Sequence, residues 1–128
     1  MPSYAKAVLV GRVGRDPELR VLQSGTAVAT FPLAVDRRGP KDGEWETSWF
    51  DVVCWSRLAE GVADKCRKGD LVLVEAEPRQ RVWEGKNGKK SVVEFHAAVV
   101  RRMDARRREE ASPADYFGDE DPGPPPAV

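Results

Sequence analysis

Trp49, Trp55 and Trp83 are the residues of this 128-residue chain whose spacing says most about chemistry. Trp49 and Trp55 lie in Thr47-Ser-Trp-Phe-Asp-Val-Val-Cys-Trp55, a stretch that reads as a β-strand. Side chains alternate across a strand, so residues an even number apart share a face. The two tryptophans therefore point one way, while Phe50, Val52 and Cys54 point the other and supply core. Trp83 ends Arg79-Gln-Arg-Val-Trp83, where Arg79, Arg81 and Trp83 share a face. Flat rings beside guanidinium groups on a sheet offer π-faces to unpaired bases and positive charge to phosphates. Single-stranded nucleic acid requires both.

The bland alternative for a strand tryptophan is core filling. Here the opposite faces already carry Phe50, Val52, Cys54 and Val82, and a small barrel does not bury both faces of its strands. Exposure for stacking, or an interface, is the expectation. Trp45 is a further stacking candidate near the edge of a loop. Lys6, Arg12, Arg37, Arg38, Arg79, Arg81, Lys86, Lys89 and Lys90 are the candidate phosphate contacts, because they interleave with the tryptophans or cluster in two loops beside them. Each taken alone could equally be a solvated surface charge. Phosphate contacts release counterions, so binding through them should weaken with salt.

The elements that must hold these residues follow from periodicity. Ala5–Val13 reads as a first strand and Thr26–Arg37 as a second, with Ala27, Ala29, Phe31, Leu33 and Val35 on its apolar face. Pro32 removes one ladder donor, so that strand should be an edge or bulged there. Residues 14–25 carry the turn signals Asp16-Pro17 and Ser24-Gly25. A third strand runs from about Glu46 to Trp55. A helix follows, with Ser56 as N-cap, Glu60 near its start, an apolar stripe of Leu58, Ala59, Val62, Ala63 and Cys66, and Gly69 as the stop. Asp70–Glu75 is a fourth strand ended by Pro78. Residues 79–84 and 90–101 are arms of a long hairpin around Gly85-Lys-Asn-Gly88. This order describes an all-β protein with one helix: a five-stranded oligonucleotide/oligosaccharide-binding (OB) barrel, whose strand 2–3 face and loops bind nucleic acid or sugars.

Formal net charge is zero, but its distribution is not uniform. Residues 1–108 hold all 21 Lys and Arg and 15 of the 21 Asp and Glu, an excess of six positive charges. Residues 109–128 hold the other six acids and no base. A basic body with an acidic tail differs physically from a neutral protein. Residues 1–103 are expected to form the binding domain, and 104–128, rich in proline and poor in apolar residues, a disordered acidic tail.

Several classes are disfavoured. No stretch approaches the roughly 18 apolar residues of a membrane span, and the N-terminus lacks a signal-peptide core. Cys54 and Cys66 have no CxxC spacing and read as buried reduced thiols, so a cytoplasmic, nucleoid-associated protein is expected. His96 is the only histidine, and a metal site needs several converging ligands. No phosphate-binding loop, nucleophile elbow or HExxH motif occurs. No enzyme, metal or cofactor is expected.

The ordered motifs Val8-Leu-Val-Gly-Arg-Val-Gly-Arg-Asp-Pro-Glu-Leu-Arg20, Phe31-Pro-Leu-Ala-Val35, Thr47-Ser-Trp-Phe-Asp-Val-Val53, Arg57-Leu-Ala-Glu60 and Arg67-Lys-Gly-Asp70 together give a resemblance to bacterial single-stranded DNA-binding proteins over residues 5–103. The resemblance implies an OB-fold subunit that assembles, usually as a homotetramer, and wraps single strands in replication, recombination and repair. It implies base stacking at Trp49, Trp55 and Trp83 and a subunit contact near Phe50. The family's fourth stacking position falls near Arg38-Gly39, where no aromatic stands; Trp45 is the candidate substitute. The family's tail ends in an acidic run capped by a hydrophobic dipeptide that docks on replication and repair proteins. Here the acidic cluster, with Tyr116, Phe117, Asp119, Glu120 and Asp121, is internal, and Pro124-Pro-Pro-Ala-Val128 follows it. Partner recruitment is therefore expected in weakened form. Two rivals remain from the residues alone: an RNA-preferring or primosome-type OB protein, and an OB scaffold whose tryptophans form a protein interface. Charge beside the tryptophans separates the second, because interface cores are depleted of charge.

Overall fold

Hydrophobic alternation dominates residues 7–102, and the chain satisfies it by closing a sheet on itself. The computed structural model describes residues 2–103. In chain order the elements are β1 (Ala7–Val13), β2 (Glu18–Val21), β3 (Ala27–Arg38), β4 (Trp45–Trp55), α1 (Ser56–Lys65), β5 (Leu71–Gly85) and β6 (Gly88–Arg102). The sheet order is β1-β5-β6-β4-β3-β2, and an added β1–β3 pairing closes it. Five strands, β1, β3, β4, β6 and β5, thus form a closed OB barrel. All neighbours are antiparallel except β4 and β6, which run parallel over Asp51–Val53 and Glu94–His96.

Closure happens where β1 leaves β5 and meets β3, at Arg12↔Ala34 and Val13↔Leu33. Gly11 sits at that crossing, and a Cβ there would run into the Ala34 carbonyl oxygen. Inside the barrel, Val13, Ala27, Ala29, Phe31, Leu33, Val52, Cys54, Val72, Val74, Ala76 and Val100 form one buried cluster. The helix adds Ala59 and Val62 to it, and Cys66, just past the helix end, completes the apolar stripe. Burial pushes the Cys54 thiol up to about 12, with Cys66 adding to the shift, so Cys54 is a neutral thiol; the two cysteines form no disulfide.

The strand boundaries differ from the sequence reading in instructive ways. Turn signals flank β2, yet it is a short, wholly exposed flap paired to β3 at Ala27–Thr30. Pro32 makes β3 neither an edge nor bulged. It sits between the segment of β3 paired to β2 and the segment paired to β1, where a missing donor costs little. Pro78 does not end a strand: β5 runs through it for 15 residues. β1 pairs with β5 only as far as Ala76, so at Pro78 one edge of β5 has no neighbour and tolerates proline. The hairpin turn is also tighter than expected, two residues (Lys86 and Asn87) between the paired Gly85 and Gly88.

At the helix start Ser56 is not the cap. Trp55 takes that position in extended conformation with no side-chain bond to cap the helix, and no acid occupies the first turn. Ser56 adopts φ 57°, a left-handed conformation rare outside glycine. The helix ends without a glycine, as Cys66 turns extended while its N–H still donates to the Val62 carbonyl at 2.9 Å. Gly69 (φ 92°) instead belongs to the turn before β5. There the buried Asp70 carboxylate accepts the Arg67 N–H at 2.9 Å, and Asp16 accepts the Lys68 N–H at 2.8 Å. Two of the ordered motifs, Arg15-Asp-Pro and Arg67-Lys-Gly-Asp70, are therefore one knot tying the β1–β2 loop to the β5 entry.

Candidate nucleic-acid interface

The register places the outward residues of four adjacent strands on one surface. On β4 these are Trp45, Thr47, Trp49, Asp51, Val53 and Trp55, opposite Arg38, Asp36, Ala34, Pro32, Thr30 and Val28 of β3. Across β6 lie Glu94 and His96, and beyond them Arg79, Arg81 and Trp83 of β5, with Lys90 paired to Trp83. All four tryptophans are exposed, from 40% at Trp55 to 62% at Trp45. That much free ring on a folded barrel is surface that core filling does not use. Val53 is the exception on this face: it is buried, between Thr30 and His96 in the register.

Each ring has its own support. Trp49 lies over Gly14; a Cβ there would stand 2.6 Å from the Trp49 ring. The Arg38 guanidinium lies 5.5 Å from the Trp45 ring centre and that of Arg81 lies 4.8 Å from Trp83, both within cation–π range. Trp55 donates its indole N–H to His96 Nδ1 at 3.0 Å. Arg81 Nε in turn meets Glu94 Oε2 at 3.0 Å.

The predicted basic residues divide. Arg38, Arg79, Arg81 and Lys90 stand on the tryptophan face, although Arg79 is paired to Glu77 at 2.7 Å. Lys86 occupies the tip of the β5–β6 hairpin. Arg37 pairs with Glu46 at 3.1 Å on the reverse face of the β3–β4 arm, and Lys89 lies opposite Glu84 on the reverse of the β5–β6 arm. Lys6, just before β1, pairs with Glu75 of β5 at 3.0 Å, and Glu75 holds its ammonium above the ordinary lysine range. Arg12 donates to the Gly69 carbonyl at 3.0 Å. The arrangement thus brings four of the nine onto the aromatic face, and the register sets a fifth, Arg12, opposite Ala34, the residue paired to Trp49. Phe50 is half-buried on the other side of β4, edge-on to Phe95 at 5.2 Å between ring centres. Tyr116, Phe117, Asp119, Glu120 and Asp121 lie outside the described residues.

Sequence reasoning missed Arg15 and Arg20. The β1–β2 loop carries Arg15 and the β2 flap carries Arg20 to a cleft of ≈ 420 Å³ on the tryptophan face, lined by Val28, Thr30, Val53, Trp55, Arg81 and Glu94. The flap's four residues are too few to show a period, so only the arginines themselves were available as a signal. Among the described residues no group of three His, Cys, Asp or Glu could hold a metal, and no helix is long and apolar enough to cross a membrane.

An OB barrel with four exposed tryptophans and guanidinium groups on one sheet face belongs to the class of nucleic-acid-binding OB proteins. Comparison with known proteins narrows this. The single-strand binding protein family model matches residues 4–117. A single-stranded DNA-binding protein of Thermotoga maritima is 45% identical over 116 residues, covering 88% of this chain and 82% of that one. One from Clostridium tetani is 43% identical over 89 residues, 69% of this chain and 61% of its relative. Among solved structures, a Plasmodium falciparum SSB complex with ssDNA matches with a TM-score of 0.75 at 26% identity, over 81% of this chain and 98% of that one. The chain belongs to the single-strand binding protein family.

Proposed function

We propose that the protein is a non-catalytic binder of single-stranded DNA that accepts many sequences. Trp49, Trp55, Trp83 and Trp45 stack on unpaired bases, and Arg38, Arg79, Arg81 and Lys90, with Arg15 and Arg20, neutralise phosphates beside them. The observation that carries this reading is the coincidence of four exposed indoles with guanidinium groups 4.8 and 5.5 Å from two of them. Every base has a π-face, so stacking tolerates sequence, and each contact contributes about 1–3 kcal/mol. Binding the unpaired form opens hairpins by mass action, which suits protection of exposed strands in replication, recombination and repair.

In this reading residues 1–103 form the DNA-binding domain, and 104–128 an acidic tail whose Tyr116-Phe117 and Asp119-Glu-Asp121 cluster offers a docking site for replication and repair proteins. Each domain offers a short site, so assembly as a homotetramer, with Phe50 near subunit contacts, supplies avidity. The place of work is the cytoplasm, at the nucleoid, and no cofactor is required.

Titration of intrinsic tryptophan fluorescence with oligo(dT), at low and high salt, tests the reading. Strong quenching that salt weakens, and that duplex DNA does not produce, supports it. Tighter binding of the matching RNA would move the protein to the RNA-preferring class, and absence of binding would leave a protein-interface scaffold.

A further inference from the structure

Trp55 is the only one of the four indoles whose N–H has a described side-chain partner. An indole nitrogen can only donate, so His96 Nδ1 accepts, and the histidine proton sits on Nε2. That nitrogen faces Glu94 Oε1 at 3.4 Å, while the other carboxylate oxygen of Glu94 holds Arg81 at 3.0 Å. The Trp55 and His96 rings are nearly parallel, at 17°, with centres 6.1 Å apart, joined through their edges by the 3.0 Å bond. The His96 side chain is 13% exposed and that of Glu94 20%, so both supports are largely enclosed while Trp55 keeps 40% of its surface free.

We propose that His96 is a positioning residue: it fixes the plane of Trp55 before DNA arrives, and Glu94 fixes the tautomer that lets it do so. The inference rests on the reading of Trp55 as a stacking residue. A ring already held in its bound orientation loses less rotamer entropy when a base lands on it. Because Glu94 also holds the guanidinium that lies over Trp83, the two stacking sites share one support. The parallel β4–β6 register makes this possible, as it sets His96 beside Val53, next to the end of the strand that carries Trp55. Glu77 and Arg79 on β5, Asp51 on β4 and Glu94 on β6 are the charged groups facing His96 across the sheet, with Glu77 its register partner.

The test is a double-mutant cycle on the full chain, read by oligo(dT) affinity. His96→Phe keeps a flat ring beside Trp55 but removes the acceptor. Trp55→Phe keeps a stacking ring but removes the donor. His96→Phe should weaken binding roughly five-fold in the parent, the equivalent of one neutral hydrogen bond, and should have no effect in the Trp55→Phe background. His96→Asn, which keeps an acceptor at the δ position, should restore most of the affinity lost in His96→Phe. An equal loss in both backgrounds would overturn the inference, since a structural or direct phosphate role does not depend on the indole N–H. Thermal melting of each variant identifies any loss that is unfolding. Trp55→Ala separates the two levels of argument: if it leaves affinity unchanged, the stacking reading itself fails, whereas a loss there combined with an additive cycle removes only the role of His96.

Discussion

The inner and outer faces of β4 are built from the same eleven residues and do opposite things. Inward, Val52 and Cys54 have no exposed surface and pack with Phe31, Leu33 and Val74. Outward, Trp45, Trp49 and Trp55 keep 62%, 61% and 40% of theirs. The larger side chains are on the wet side. A chain selected for stability alone would gain from burying them, because an indole is the largest apolar surface available. The difference separates two tasks on one strand: small branched residues close a narrow barrel, and wide flat ones wait for a ligand. The supports differ in kind as well. Inside, rings and methyl groups are held by each other; outside, Trp49 lies over Gly14, Trp55 is tied to His96, and Trp45 and Trp83 lie near arginines.

Changes confined to one face should therefore leave the other task intact. The largest expected effect is on the inner face. Leu33→Ala deletes a fully buried side chain and should lower unfolding free energy by about 2–5 kcal/mol, measured by urea denaturation, with oligo(dT) affinity unchanged for the molecules that remain folded. On the outer face, Gly14→Val places a side chain where the Trp49 ring lies. It should cost at most the roughly 1–3 kcal/mol of one stacking contact, read as weaker binding with a smaller change in melting temperature.

Alkaline pH offers a third way to separate the faces. The folded Cys54 thiol is raised from 9.0 to about 12, so the unfolded chain gives up that proton first. Its contribution to stability is complete below pH 9.0 and falls, by about 1.4 kcal/mol per pH unit, as pH climbs towards the folded value. Cys54→Ala should flatten that limb of the stability–pH curve. The smallest effect is at the junction after Trp55. Ser56→Gly relieves a left-handed backbone conformation and should raise stability by up to about 1 kcal/mol, with a melting shift of a few degrees and no change in affinity.

Much of this division was legible in the sequence, for a physical reason. The period of two in Trp49–Trp55 assigns faces without any knowledge of partners, and it put Phe50, Val52 and Cys54 opposite the tryptophans correctly. The helix stripe was legible for the same reason. What failed was local or long-range. β2 has four residues, all exposed, so no alternation could mark it. Pro78 reads as a stop because its tolerance depends on the β1 pairing reaching no further along β5 than Ala76, which no local rule reveals. Arg37 and Lys89 fell on the reverse face because each stands one residue out of phase with Arg38 and Lys90. The bond from Trp55 to His96 depends on parallel pairing between strands some forty residues apart, and nothing near either residue announces it.

The most direct test of the account measures affinity and stability together for Trp49→Ala, Trp55→Ala and Trp83→Ala. Oligo(dT) dissociation constants and melting temperatures would be taken on the same samples. Each substitution is predicted to weaken binding by roughly 5- to 150-fold, the range that about 1–3 kcal/mol of stacking corresponds to, while melting moves by no more than a few degrees. Melting that drops sharply while affinity per folded molecule holds would contradict the account and make the tryptophans structural.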